Sequence, residues 1–339
     1  MTKIIVKDGG PLTTVQDEGR YGYQKFGMPT AGAMDKYSYK IANFLVENNG
    51  NEAVLESTLK GPKLKFESNA IIAVTGAKSK VKIDGKKIKM WKSHYIKKGS
   101  ILEISMSKKG LRNYIAFKGG LDLPKVMDSK STYLRGKLGG YKGRKLKNGD
   151  KLKLNKEVEK NNFEEKKLAK KDKPNFSQKE VRVIMGPQDN YFTNKGISNF
   201  LKEDFKVSSQ ADRMGYRLKG KDIEHKDGAD IISDGIAPGS IQVSGDGKAI
   251  IMLADRQTTG GYTKIATVIS VDLDIVSQKK PGDLITFKKV SLSEAHNLLK
   301  KREEIYKKIR TKNVELSSTK SYKIRVEGEE YEVELREIL

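Results

Sequence analysis

Val81-Lys82-Ile83-Asp84-Gly85-Lys86-Lys87-Ile88-Lys89-Met90 alternates apolar residues with lysine on either side of an Asp-Gly step. A period of two sends successive side chains to opposite faces of a strand, and Asp-Gly is a favoured two-residue hairpin turn. The stretch therefore predicts a β-hairpin with one apolar and one lysine face. The same grammar runs outward from it. Ile101 to Met106 and Leu111 to Phe117 read as strands joined by Ser107-Lys108-Lys109-Gly110. Val181 to Met185, Ile265 to Val271 and Leu284 to Phe287 read as further strands, and Ile241 to Val243 with Ala249 to Leu253 reads as a hairpin over Gly245-Asp246-Gly247. The 32 glycines suit a chain of tight turns. Helices are few. Asp35 is placed to cap one carrying Ile41, Phe44 and Leu45 on one face, and Ser291 with Glu294 has capping-box spacing ahead of Leu298, Leu299, Ile305 and Ile309.

At 339 residues the chain has room for about two domains. A glycine turn before an apolar strand recurs at Lys98-Gly99-Ser100, Asn148-Gly149-Asp150 and Pro281-Gly282-Asp283, hinting at two related halves. Between the halves, residues 155–178 are rich in Lys and Glu and read as an exposed linker. The expected organisation is a β domain over 1–154, a polar linker over 155–178, a second β domain over 179–290, and a helix with a hairpin over 291–339.

Composition excludes several chemistries. There is no cysteine, hence no disulfide, thiolate nucleophile or Cys-based zinc site. The three histidines (His94, His225, His296) lack metal-ligand spacing, and no metal site is expected. No P-loop, no Gly-x-Ser-x-Gly elbow and no Met-Lys-Met biotinylation context occurs. The longest apolar runs are a few residues, and the start MTKIIVKDGG lacks a signal-peptide core, so a cytoplasmic chain without a membrane partner is expected. The net charge is +24, but the lysines are spread and not interleaved with aromatics. A lysine-rich solvated surface is expected rather than a specific nucleic-acid site.

Arginine is scarce against lysine, so its positions are informative: a planar fork is chosen where bidentate geometry is needed. Half of the 12 arginines fall in four polar clusters. The first is Thr13-Thr14-Val15-Gln16-Asp17-Glu18-Gly19-Arg20, in which Asp17 and Arg20 also fit an internal pair. The second runs from Ser129 through Arg135 to Arg144 and suits a carboxylate or phosphate. The third joins Gly186-Pro187-Gln188-Asp189 to Ser208-Ser209-Gln210-Ala211-Asp212-Arg213-Met214-Gly215. The fourth, Asp255-Arg256-Gln257-Thr258-Thr259-Gly260-Gly261-Tyr262, follows an apolar strand and is read as a ligand-facing loop, the strongest candidate site.

Together with Met34-Asp35, Ala42-Asn43 and Ser131-Thr132-Tyr133-Leu134-Arg135-Gly136, these clusters resemble the biotin-dependent carboxyltransferase-like family over about residues 3 to 290. Its members have been named allophanate hydrolase subunit 2, kinase-inhibitor antagonist and the C subunit of 5-oxoprolinase. The resemblance implies a mainly β fold of two cyclophilin-like β-barrel domains with a few helices, and a C-terminal helix and hairpin beyond the family core. It implies two partners in an oxoprolinase complex, a cyclophilin-like B subunit and a separately folded A subunit. It also implies ATP-dependent opening of 5-oxoproline to glutamate, with ATP and Mg²⁺ as cofactors of the complex. Its larger relatives imply an alternative, carboxyl transfer from biotin on a separate carrier to urea or a related amide. A non-catalytic, regulatory role toward a cyclophilin-like kinase inhibitor is a third. In either catalytic reading Arg256 and Arg213 are expected to grip carboxylate or phosphoryl oxygens, with Arg20, Arg135, Gln188, Asp212, Thr259 and Tyr262 around the substrate. Gln257, Thr258 and the amides near Gly260 and Gly261 are expected to stabilise an oxyanion. Asp17, Asp189 or Asp255 is expected to act as general base or to hold an arginine in place.

Overall fold

The computed structural model describes residues 3–160, 163–311, 320–326 and 329–335. The first half builds eleven strands: β1 (Lys3–Asp8), β2 (Leu12–Gln16), β3 (Val54–Thr58), β4 (Lys63–Phe66), β5 (Ala70–Lys78), β6 (Val81–Ile83), β7 (Lys86–Ile88), β8 (Ser93–Ile96), β9 (Ile101–Ile104), β10 (Lys109–Phe117) and β11 (Lys151–Lys153). They form two sheets, ordered β11-β1-β4-β9-β6-β7 and β2-β3-β10-β5-β8. Ile4, Leu64, Phe66, Ile72, Leu102 and Phe117 fill the space between them. The hairpin at Asp84-Gly85 forms as expected, Val81 opposite Ile88. Strands β5 and β10 are buried along nearly their whole length because α1 (Lys36–Leu45) covers the second face of their sheet. Asp35 caps α1, its carboxylate accepting from Ser38 N at 2.8 Å.

Residues 155–178 differ from the exposed linker expected. Val158 and Leu168 are buried beside Trp91 and α1, and the segment straps back over the first unit through Ser93 N to Lys166 O and Leu168 N to Trp91 O. Four apolar residues in a charged stretch, Val158 and Leu168 with the half-buried Phe163 and Phe176, suffice to bury its inner side while most of its lysines stay in water.

The second half closes into a seven-strand barrel in the order β12 (Glu180–Met185), β19 (Lys264–Val268), β16 (Ser240–Val243), β17 (Ala249–Met252), β14 (Gly215–Lys219), β13 (Phe205–Ala211) and β20 (Leu284–Lys289). Helix α2 (Asn194–Lys202), not expected from the sequence although Ile197, Phe200 and Leu201 share one face, is capped by Thr193 and sends Phe200 into the core, stacked on Phe287 at 4.5 Å. Strands β15 (Asp230–Gly235) and β18 (Thr259–Tyr262) pair as a separate two-stranded ribbon.

Two helices close the junction, α3 (Leu273–Ser277) and α4 (Leu292–Thr311), the latter starting on the expected Ser291–Glu294 capping box. Helix α4 bridges both units: Tyr306 stacks on Tyr37, and Arg302 pairs with Asp274. After it, β21 (Lys320–Val326) and β22 (Glu329–Leu335) pair as the expected hairpin. The Glu327-Gly328 turn lies outside the described residues. Among the described residues no helix is long and apolar enough to cross a membrane.

Beside this clamp, burial and the nearby Asp274 charge push the Asp35 carboxyl up to about 7, against hydrogen bonds from Ser38 and Gln278. A carboxyl raised on folding binds its proton more tightly in the folded state. It therefore favours folding at low pH, and that contribution is lost as pH rises from about 4 to about 7. Denaturation across this window should show a slope of up to about −1.4 kcal/mol per pH unit from this group, and Asp35→Asn should flatten it.

Candidate active site between the two units

The expected ligand-gripping Arg213 is buried and already saturated. Its Nε and Nη2 donate to the two Asp255 oxygens at 3.0 and 2.9 Å, Nη2 also donates to Gly32 O at 2.6 Å, and Nη1 donates to Glu56 Oε1. Burial opposes this charge, but Asp255 and Glu56 outweigh it and hold the guanidinium well above its usual range. Arg112 answers from the other side: it rises from the first unit and donates to Tyr216 Oη and Ser277 O of the second. Arg213 and Asp255 thus fasten the units together. That corrects the expectation that Arg213 grips substrate, since every fork position is used, and of the two roles expected for Asp255 it is the second, holding an arginine in place, that the structure shows. Gly32 has φ +88°, and a Cβ there would lie 2.8 Å from Glu18 O, so the close approach to Arg213 requires glycine.

Asp17 has a similar fate. It accepts from Gly19 N, Ser129 Oγ and Ser131 Oγ on Oδ1 and from Lys130 N on Oδ2, pinning the 129–131 segment to the end of β2, so its four bonds are spent on holding the loop. Arg20 is fully buried and donates to Val126 O and Ser131 O, so it orders the same loop. A Cβ on Gly139 would sit 2.1 Å from Ser131 O and 2.8 Å from Arg20 Nη2, which explains the glycines on which the loop folds over. The Asp17–Arg20 motif is therefore scaffold for Arg135, which the loop carries to the second unit.

There Arg135 lines a pocket of about 200 Å³ with Asp212, Gln257 and Tyr262 from the expected set. Gln210, Arg217 and Gln242 also line it: the first two belong to the polar clusters of the sequence without being singled out as site residues, and Gln242 was missed because it lies inside strand β16. Three carboxamides offer both donors and acceptors to an amide, and two arginines offer forks to a carboxylate. Asp212 uses Oδ1 to accept from Met214 N and Gly215 N, leaving Oδ2 available.

Met252 separates this pocket from a cleft of about 380 Å³ between Tyr21, Thr30 and Lys36 of the first unit and Pro238, Leu253, Arg256 and Asp274 of the second. Arg256 is mostly buried and bonds only to carbonyls, Ile236 O at 2.8 Å and Leu253 O at 3.3 Å. Burial holds its pKa below the usual value, and no carboxylate among the described residues pairs with it. Arg256 and Gln257, adjacent in sequence, thus serve two adjoining cavities.

The rest of the fourth cluster is not the expected loop. Thr259 to Tyr262 form β18, with Gly260 opposite Asp234 and Tyr262 opposite Asp230, and Thr258 O accepts from Ile236 N. The glycines sit in a strand ladder and do not form an oxyanion cradle around either cavity. Gln188 and Asp189 do not join either cavity: Gln188 Oε1 accepts from Lys264 N at 3.2 Å, and Asp189 opens a short 3₁₀ turn.

Residues 26–289 match the model of the carboxyltransferase domain, subdomain A and B. The chain is 36% identical over 295 residues to the C subunit of 5-oxoprolinase from Escherichia coli, covering 87% of this chain and 93% of that protein. It is 35% identical over 308 residues to the protein of the same name from Haemophilus influenzae, covering 91% and 97%. The crystal structure of the K. lactis urea amidolyase superposes with a TM-score of 0.86 at 31% identity over 91% of this chain, which spans 20% of that much longer protein.

Proposed function

The chain belongs to the family of the carboxyltransferase domain, subdomain A and B, and from that premise we propose that it is the C subunit of an ATP-dependent 5-oxoprolinase, working with two partner subunits. The observation that carries this reading is the 200 Å³ pocket, where Arg135 and Arg217 stand beside the carboxamides of Gln210, Gln242 and Gln257. 5-Oxoproline is a small ring carrying one carboxylate and one lactam amide, the two groups this lining complements. The arginines take the carboxylate, and Gln257 orients the lactam.

A lactam resists water because its amide is resonance-stabilised. Transfer of a phosphoryl group from ATP to the lactam oxygen makes the ring carbon electrophilic. Water then adds there, C–N cleavage releases the amine and leaves a γ-glutamyl phosphate, and a second water hydrolyses that acyl phosphate to glutamate and phosphate. Arg256 and Lys36 line the adjoining cleft and are placed to meet phosphoryl oxygens. Mg²⁺ is taken to enter with ATP; among the described residues no three His, Asp or Glu side chains gather as a metal site. Asp212 Oδ2 is the best-placed general base.

The superposition on the urea amidolyase supports a second reading, carboxyl transfer from a biotinylated carrier to a small amide. The nearly full-length match to 5-oxoprolinase subunits favours the first. Reconstitution decides between them. Purified chain with its two partner subunits, 5-oxoproline, ATP and Mg²⁺ should form glutamate and ADP only when all three chains are present. Well-folded, associated subunits that turn over no 5-oxoproline but decarboxylate carboxybiotin would reverse the choice.

A further inference from the structure

A groove of about 550 Å³ lies on the first unit, away from the cavities between the units, between the strand β7 edge and the strap over residues 167–176. Its floor is apolar, made by Met90, Trp91, Leu168, Pro174 and Phe176. Eight lysines ring it from separate stretches of chain, among them Lys87 and Lys89 at β7, Lys108 before β10, and Lys167 and Lys173 on the strap. No carboxylate lines it. Of the eight, Lys92 alone forms a salt bridge among the described residues, to Glu165. Elsewhere lysines meet acids, as Lys60 meets Asp8 and Lys63 meets Glu103. Like charges gathered without counter-charges repel one another, a cost that an anionic partner would remove.

We propose that this groove docks an extended acidic segment of a partner protein. Strand β7 ends the six-stranded sheet, so its outer backbone edge is unpaired among the described residues and can accept another strand. Lysines on an edge strand ordinarily only discourage such pairing. Here they face an apolar floor, so a strand alternating acidic and apolar side chains satisfies lysines, floor and edge together. A nucleic acid fits less well, because Trp91 is only 7% exposed and Phe176 packs inward, leaving no open aromatic face for bases.

The test is fluorescence anisotropy of the intact chain with a short labelled peptide alternating glutamate and leucine. Binding should weaken about tenfold or more in the Lys87→Glu, Lys173→Glu double variant and change little in a Lys202→Glu, Lys219→Glu control on the second unit. Oligoglutamate of equal length should bind about tenfold more weakly, for want of apolar side chains. Equal loss in the control variant, or equal binding of oligoglutamate, would reduce the groove to general basicity and overturn the proposal. Tighter binding of single-stranded DNA or of ATP through the same lysines would overturn it in favour of those ligands.

Discussion

Replacing Arg213 with alanine is expected to cost about 3–5 kcal/mol of stability, because it leaves Glu56 and Asp255 as buried carboxylates without their shared cation. The penalty is desolvation left uncompensated, so it should be far larger than for an exposed pair such as Lys195–Glu224. Arg213→Lys should rescue little, since one ammonium cannot present the fork that spans Asp255, Gly32 and Glu56 at once. Adding Glu56→Gln and Asp255→Asn to Arg213→Ala should recover part of the loss by removing the stranded charges. Chemical denaturation followed by tryptophan and far-UV signals reads all of these. An Arg213→Ala chain of unchanged midpoint but raised KM would instead make Arg213 a substrate ligand.

Arg217→Ala should behave in the opposite way. Its side chain is exposed at the pocket rim, so folding should be unaffected, while kcat/KM for 5-oxoproline in the reconstituted complex should fall about a hundredfold, ~2.7 kcal/mol. The loss is assigned to the carboxylate, and this is separable. For 2-pyrrolidinone, the same lactam without the carboxyl group, the wild-type complex should already be slow, and Arg217→Ala should slow it little further. A full additional loss on 2-pyrrolidinone would show that Arg217 does something other than hold the carboxylate.

Much of the scaffold was legible because its signals are local. Asp-Gly with period-two alternation gives the β6–β7 hairpin, and Asp35 and the Ser291–Glu294 box give two helix starts. The site was legible in composition and less so in role. Scarce arginines did mark the junction between the units, and Arg135, Asp212, Gln257 and Tyr262 do converge. But sequence cannot tell a cation that meets ligand from one that meets Glu56, a residue inside the buried strand β3 and far from Arg213 in the chain. Likewise Asp17 looks like a base until its four donors are counted, and Thr259 to Tyr262 look like a loop until β15 supplies the pairing strand. These outcomes depend on contacts distant in sequence, which local propensity does not encode.

The central claim is that a small lactam acid sits among Arg135, Arg217 and the three glutamines. A crystal structure of the chain with 5-oxoproline, its partner subunits present, tests it most directly. The account requires the carboxylate within hydrogen-bond distance of the two arginines and the lactam amide on Gln257. Ligand bound in the Arg256 cleft or on one of the partners, with the 200 Å³ pocket empty at saturating concentration, would contradict it.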